Sequence, residues 1–449
     1  MPHAGSPLPF VDPLVTAPEM TRLRRLLPSA LDVAGLASRS IADFAGAINA
    51  HLVASRRAPL AWVLDADRIA AAYGSDRLLR QHGAEVQLFA ELSGFFRARD
   101  GWIRTHANYP HHRRRLCLAA GLDETATATE FAAAVEVLDA SAIEEAAWSV
   151  GALAVRVREP GEWAAPASVV CSEALTGQRD APARPRDVPP RPRDVPRRPR
   201  VDRTAPLAGI RVLDLTRVIA GPVATRSLAL LGADVLRVDP PFMPEIALQH
   251  VDTGQGKRST LIDGTSPTGR ATLDALVAEA DVLISGYRPG AIDSVGLTLP
   301  PGLVHATVDA WGDVDGWRTR RGFDSLVQAV TGISMIESKS GDLGYAIPGA
   351  LPVQALDHSA GYRLAAEVVR ALTRRLDDPS GRRISVSLAG VASELLSGDQ
   401  TGGASERAAL SGDVVVTHND YTTARPAFAE FADYASPAHP LGADAPEWT

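Results

Sequence analysis

Twenty-five residues in the middle of this chain, Arg179 to Arg203, bar any single continuous fold. They read RDAPARPRDVPPRPRDVPRRPRVDR, with nine Arg, four Asp and seven Pro, and RPRDVP occurs twice. Proline at this density removes the N–H donors that helices and sheets need and favours extended polyproline II. No apolar side chain larger than Val is present to offset the entropy of ordering the run. The segment therefore reads as a semi-rigid, solvated linker. A basic docking strip is the other reading, but an Asp dilutes each cluster of arginines. The linker divides the 449 residues into an N-terminal part, 1–178, and a C-terminal part, 204–449.

The two parts differ in pattern. In the C-terminal part, short apolar runs alternate with helical stretches: Ile210–Leu215, a helix over Gly221–Ala233, Asp234–Asp239, Ser259–Asp263, a helix from Pro267 to Ala280, Asp281–Ser285 and Gly302–Trp311. A long helix from about Asp357 to Leu376, the run Arg383–Leu388 and a last strand at Asp413–Thr417 follow. Such alternation predicts an α/β fold, an open parallel Rossmann-like sheet with helices on both faces. The N-terminal part predicts a smaller, mostly helical α+β domain. Ser40 or Asp43 could open a helix through Val53, and Thr127–Leu153 reads as helical. Ala61–Leu64 and Trp102–Thr105 read as short strands, with Asp100-Gly101 as a hairpin turn.

Composition excludes several classes. Hydrophobic residues are 45% and charged residues 22%, and the net charge is −7, so neither nucleic-acid nor membrane partners are expected. Met1 to Val15 does not read as a signal peptide. Two cysteines, Cys117 and Cys171, rule out a disulfide scaffold or a multi-cysteine zinc site and suit a reducing cytoplasm. His106, His111 and His112 lack a carboxylate at matching spacing and adjoin Arg113–Arg115, so no metal is expected.

Three clusters carry chemistry. TRVIAGP (Thr216–Pro222) leads from a strand into a helix N-terminus, a setting that attracts phosphate, although the single Gly-Pro is no dinucleotide fingerprint. GQGKRS (Gly254–Ser259) precedes a strand and GYRPG (Gly286–Gly290) follows one. Each joins turn glycines to fixed cations, which suits a phosphorylated ligand, and each is equally readable as a polar turn. Asp357 begins the long helix. A carboxylate there is commonly a cap. The same position would also lower its pKa and keep it ionised, as a nucleophilic carboxylate requires.

Taken in order, longer strings resemble the family III CoA-transferases, which include formyl-CoA transferase, carnitine CoA-transferase and α-methylacyl-CoA racemase. The strings are PLAGIRVLDLTRVIAGPVATRSLALLGADVLRVDPP, GKRSTLID, SPTGR, ADVLISGYRPG, RRGFDSLVQAVTGI, ALDHSAGYRLAAEVVRAL and GRRISVSL. LSGFFRARDGWIRTHANYPHHRRRLCLAAGL resembles the family's small domain, here moved ahead of the large one, and ASPAHPLGADAPEW resembles its closing segment. The resemblance implies transfer of coenzyme A between an acyl-CoA and a small carboxylate. Asp357 holds the nucleophile's place, and Lys257, Arg258 and Arg288 hold those of CoA-contacting cations. Val218, Ala220, Gly221 and Tyr287 would line the pantetheine and thioester end. It also implies a homodimer, in the family an interlocked one.

Several positions depart from the family. Gly322-Phe323-Asp324 replaces the Gly-His-Asp of the racemase branch, which removes one acid/base and favours transfer. Ile219 stands where formyl-CoA transferase has glutamine. Thr253-Gly254-Gln255-Gly256 replaces the usual Asn-rich approach to the KRS motif. A catalytically degenerate CoA-binding protein and an acyl-CoA racemase or hydratase are the competing readings.

Overall fold

The alternating runs after residue 205 build a seven-stranded sheet to which the N-terminal part adds one edge. The computed structural model describes residues 15–87, 89–164, 166, 168–174, 205–287, 296–341, 346–398 and 407–449, so the linker expected at 179–203 lies outside the described residues. The sheet strands are β1 (Val170–Ala174), β2 (Arg211–Leu215), β3 (Asp234–Asp239), β4 (Arg258–Leu261), β5 (Val282–Ser285), β6 (Val304–Asp309) and β7 (Arg382–Ser387). Their spatial order is β1-β7-β6-β5-β2-β3-β4. Strands β2 to β7 are parallel, and β1 runs antiparallel to β7 with Val170 opposite Val386. The chain moves outward through β2, β3 and β4, then returns to the other side of β2 with β5. The carboxyl ends of β2 and β5 thus flank a topological switch point, where open α/β sheets bind ligands.

Four helices position the site: α1 (Val33–Ala54), α2 (Ala220–Leu230), α3 (Asp324–Val330) and α4 (Ala355–Arg374). Helix α4 packs against both α1 and α2. Its approach to α2 is so close that a Cβ on Gly361 would lie 2.6 Å from the Ala220 carbonyl oxygen and 2.8 Å from Val223 Cβ. Gly361→Ala is therefore expected to wedge the helices apart and cost about 1–3 kcal/mol, read as a lower denaturation midpoint.

The packing differs from the expected division at the linker. Residues 92–154 do hold a core of their own, around a three-stranded antiparallel sheet of Phe95–Ala98, Gly101–Thr105 and Ala154–Arg156. The helices Ala17–Leu26, α1 and Ala66–Tyr73 instead share one hydrophobic core with α2 and α4. Fifteen of the 22 residues of α1 are buried, which leaves little polar face for solvent and requires a partner on more than one side. Asp32, not Ser40 or Asp43, opens α1 by accepting the Gly35 N–H at 3.1 Å. Asp43 pairs with Arg370 on α4 instead. The stretch Thr127–Leu153 is two helices, Ala128–Glu136 and Ala140–Ser149. They separate where Asp139 turns outward to Arg99 and the Leu138 carbonyl accepts the Arg99 N–H. Ala61–Leu64 forms no strand. Among the described residues, no helix is long and apolar enough to cross a membrane.

Candidate active site

A cavity of about 360 Å³ opens at the switch point. Its walls come from the turn after β2 (Arg217–Gly221), from Gly286 and Tyr287 after β5, from Asp309 and Ala310 at the end of β6, and from Phe323 and Asp357. Tyr109, His111 and His112 of the N-terminal part close one side.

The turn after β2 is held under strain. Val218 has φ 69°, a conformation costly for a β-branched side chain. Its N–H donates to Glu245 Oε2 at 2.7 Å. Glu245 also accepts Tyr109 Oη–H at 2.6 Å and pairs with the buried Arg237 at 3.0 Å, so one carboxylate fastens the turn to the N-terminal wall. Burial opposes the charge of Glu245, but Arg237 and these donors hold its pKa below the usual value. Gly221 is required in the same turn, because a Cβ there would meet the Thr216 side chain at 2.3–2.6 Å.

Asp357 occupies the third position of α4, whose N-cap residue Gln354 makes no side-chain cap. The cap comes from another helix: Asp324 Oδ2 accepts the Asp357 N–H at 2.9 Å. Asp324 is 1% exposed and also takes the Gln328 amide, whose carbonyl accepts the Leu351 N–H at 2.9 Å. Burial pushes Asp324 up to about 6. The surroundings act against the expectation that the helix start lowers the pKa of Asp357. Burial and the nearby Asp324 carboxyl raise its pKa well above the usual carboxylate range.

The expected cations are arranged otherwise. Lys257 is 2% exposed and turned away from the cavity, with Nζ 3.1 Å from Asp214 Oδ2 and 2.9 Å from the Pro222 carbonyl. A residue just before a parallel strand sits toward its amino end, so this side chain reaches inward and holds the β2–α2 turn. Arg258 grips Asp234 at 2.8 Å and the Glu447 carbonyl at 2.7 Å, tying down the C-terminal segment. Neither lines the cavity. Arg288 lies outside the described residues. Val218, Ala220, Gly221 and Tyr287 do line it.

The cations that line the cavity are Arg217, Arg318, Arg320 and Arg321. Arg217 lies over the Tyr109 ring at 5.3 Å, and Arg320 is clamped between Trp148 and Trp317 at 3.9 and 4.3 Å. Phe323 stacks on His106 with ring centroids 3.8 Å apart and 3° between planes. His358 is turned into the core against Tyr73. Among the described residues, no group of three His, Cys, Asp or Glu side chains is placed to hold a metal ion. Sequence reasoning missed Arg217, Glu245, Asp324 and the 318–321 arginines as site residues. Two of these carried a signal: Arg217 by its place directly after the carboxyl end of a strand, and Asp324 by its place in Gly322-Phe323-Asp324.

Comparison with known proteins points one way. The model of CoA-transferase family III matches residues 207–424. An acetyl-coenzyme A transferase of Hypoxylon pulicicidum is 31% identical over 193 residues, 41% of this chain and 32% of that protein. A probable fatty acyl-CoA transferase of Mycobacterium tuberculosis is 31% identical over 193 residues, 38% of this chain and 47% of that one. Succinyl-CoA:glutarate CoA-transferase of Homo sapiens is 30% identical over 149 residues, 29% of this chain and 34% of that one. The chain thus spans about a third to a half of these relatives' length. Among solved structures, a CaiB/BaiF family protein from Brucella suis is 27% identical with a TM-score of 0.39, covering 43% of this chain and 56% of that one.

Proposed function

Since residues 207–424 belong to CoA-transferase family III, we propose that this chain moves coenzyme A from an acyl-CoA to a carboxylic acid, with Asp357 as the covalent nucleophile. One observation carries the proposal: Asp357 stands in the wall of the switch-point cavity together with the strained Val218–Gly221 turn. An Asp357 oxygen attacks the thioester carbonyl, the C–S bond breaks, and a mixed anhydride and the CoA thiolate result. The thiolate then attacks the Asp357 carbonyl carbon, which releases the donor's carboxylate and leaves an aspartyl-CoA thioester. An acceptor carboxylate takes the CoA by the reverse steps. One hard exchange becomes several easier ones.

In this reading Val218, Ala220, Gly221 and Tyr287 contact the thioester end. The first turn of α2 favours negative charge developing on the thioester oxygen. Arg217, Arg318 and Arg320 suit the phosphates of coenzyme A. Racemisation needs a base that takes a proton from one face of the α-carbon and an acid that supplies one to the other. Phe323 cannot serve, and His358 points away, which favours transfer. The proposal includes a cytoplasmic homodimer in which each chain closes its own cavity with Tyr109, His111 and His112.

Intact-protein mass spectrometry after incubation with acetyl-, succinyl- and long-chain acyl-CoA, with hydroxylamine trapping and peptide mapping, tests the reading. A CoA adduct or hydroxamate on Asp357 is expected with at least one donor. CoA binding without any adduct would instead mark a non-catalytic CoA-binding scaffold.

A further inference from the structure

The cavity wall formed by Asp357 has a second space behind it. This chamber, of about 30 Å³, is lined by Asp76, His106, Gln249, Asp324 and Asp357, with Val218, Ile219 and Phe323 shared between the two spaces. Three of its side chains carry polar atoms without a hydrogen-bond partner among the described residues: Asp76 Oδ1, Gln249 Nε2 and His106 Nδ1. All three residues are more than nine-tenths buried, at 8%, 8% and 5% exposure. Buried polar groups without partners are penalised, and a water molecule is the usual remedy where room and two to four polar partners exist. A chamber of this size exceeds the roughly 10–15 Å³ that one water requires.

We propose that the chamber is a water site in which one molecule donates hydrogen bonds to Asp357 and to Asp76 Oδ1 and accepts one from Gln249 Nε2. Two O–H donors meet two carboxyls, and one amide donor meets a lone pair, so the valences match. The facing carboxyls disfavour an anion, and the inward amide N–H of Gln249 disfavours a cation. A hydrogen bond to the ionised form of Asp357 favours that form, against burial and the Asp324 charge. Only this consequence for the nucleophile rests on the transferase reading. The charged and titratable groups around Asp357 are Asp324 from α3, Asp76 and His106 across the chamber, and, around the main cavity, Arg217, His111, His112, Asp309, Arg318, Arg320 and Arg321 with the Tyr109 and Tyr287 phenols, while Arg104 acts on Asp324. Replacing Gln249 leaves all of them in place.

Isotope-edited infrared difference spectra of the full chain, unaltered protein minus Asp357→Asn, follow the Asp357 carboxyl through a pH titration without substrate or turnover. In Gln249→Leu the midpoint is expected to rise by about one pH unit, a tenfold change in the ionisation constant. A high-resolution crystal structure of the unaltered chain is expected to show a water within hydrogen-bonding distance of Asp357, Asp76 and Gln249. An unmoved midpoint in folded Gln249→Leu, or a dry chamber in that crystal structure, overturns the proposal; if Gln249→Leu does not fold, the crystal structure alone decides. A raised midpoint in a chain that forms no CoA adduct would sink the transferase reading and keep the water site.

Discussion

Asp357→Asn is expected to lower CoA transfer by about 10³-fold or more while making the fold more stable at neutral pH. The loss follows from the proposed chemistry: an amide cannot form the anhydride or the CoA thioester, and removing a covalent nucleophile leaves only binding and electrostatic assistance. The gain follows from the setting. Asp357 is buried beside Asp324, and its pKa in the fold lies well above the usual carboxylate value. Below that usual value the carboxyl is protonated in both folded and unfolded chains and carries no penalty. As pH rises, the unfolded chain ionises first, and the folded state loses ground until its own, higher pKa is passed. The neutral amide escapes this penalty. The stability gap between variant and parent should therefore be nil in acid and widen from about pH 4 upward. Denaturant melts across pH measure the gap, and a thioester-exchange assay measures the activity. A variant that keeps transfer activity removes Asp357 from the chemistry. A variant less stable than its parent at neutral pH would mean that the carboxylate is held by partners stronger than burial.

Lys257→Met is expected to cost about 3–5 kcal/mol of stability, a large share of the roughly 5–15 kcal/mol that holds a domain together. Asp214 is fully buried, and its carboxylate keeps hydrogen bonds from Thr216 and Thr225 but would lose the ammonium 3.1 Å away. Burial favours the neutral acid at Asp214, yet Lys257 and Arg237 hold its pKa below the usual value in the fold. Stability from such a group is present above the unfolded pKa and fades as pH falls through the folded one. The cost of Lys257→Met should shrink in acid accordingly, because protonated Asp214 needs no counter-charge. Urea melts at neutral and acidic pH test this. A ligand contact behaves differently: the variant would melt like its parent and bind coenzyme A more weakly, and that result would return Lys257 to the cavity.

Much of this molecule was legible before any coordinates. Strand and helix alternation is a local property, written in runs of four to six apolar residues and in the prolines and turns between them. It therefore predicted the parallel sheet and the six strands that the C-terminal part gives to it, to within a residue or two at most ends. The strand-to-helix turn at Val218–Gly221 and Asp357 at the start of a long helix were likewise identifiable, since both are features of neighbouring residues. What escaped was every relation across large separations. Glu245 meets Val218 and Tyr109, Asp324 caps a helix that starts 31 residues later, and Val170–Ala174 crosses the linker to join the sheet. None of these partners shares a periodicity that would announce it.

The sequence by itself determined the element types, the sheet's parallel character and the family of residues 207–424, because each rests on short-range pattern or on matched strings. Only the tertiary structure decided which charges meet the cavity. Lys257 and Arg258 looked like ligand cations and are spent on Asp214 and Asp234, while Arg217, Arg318 and Arg320 line the opening. The tertiary structure likewise decided that burial and the Asp324 carboxyl push the Asp357 pKa up, against the direction its helix position suggested. The physical reason is common to both. A charge's pairing and pKa depend on burial and on neighbours a few ångströms away in space, and the chain brings those neighbours together only when it folds.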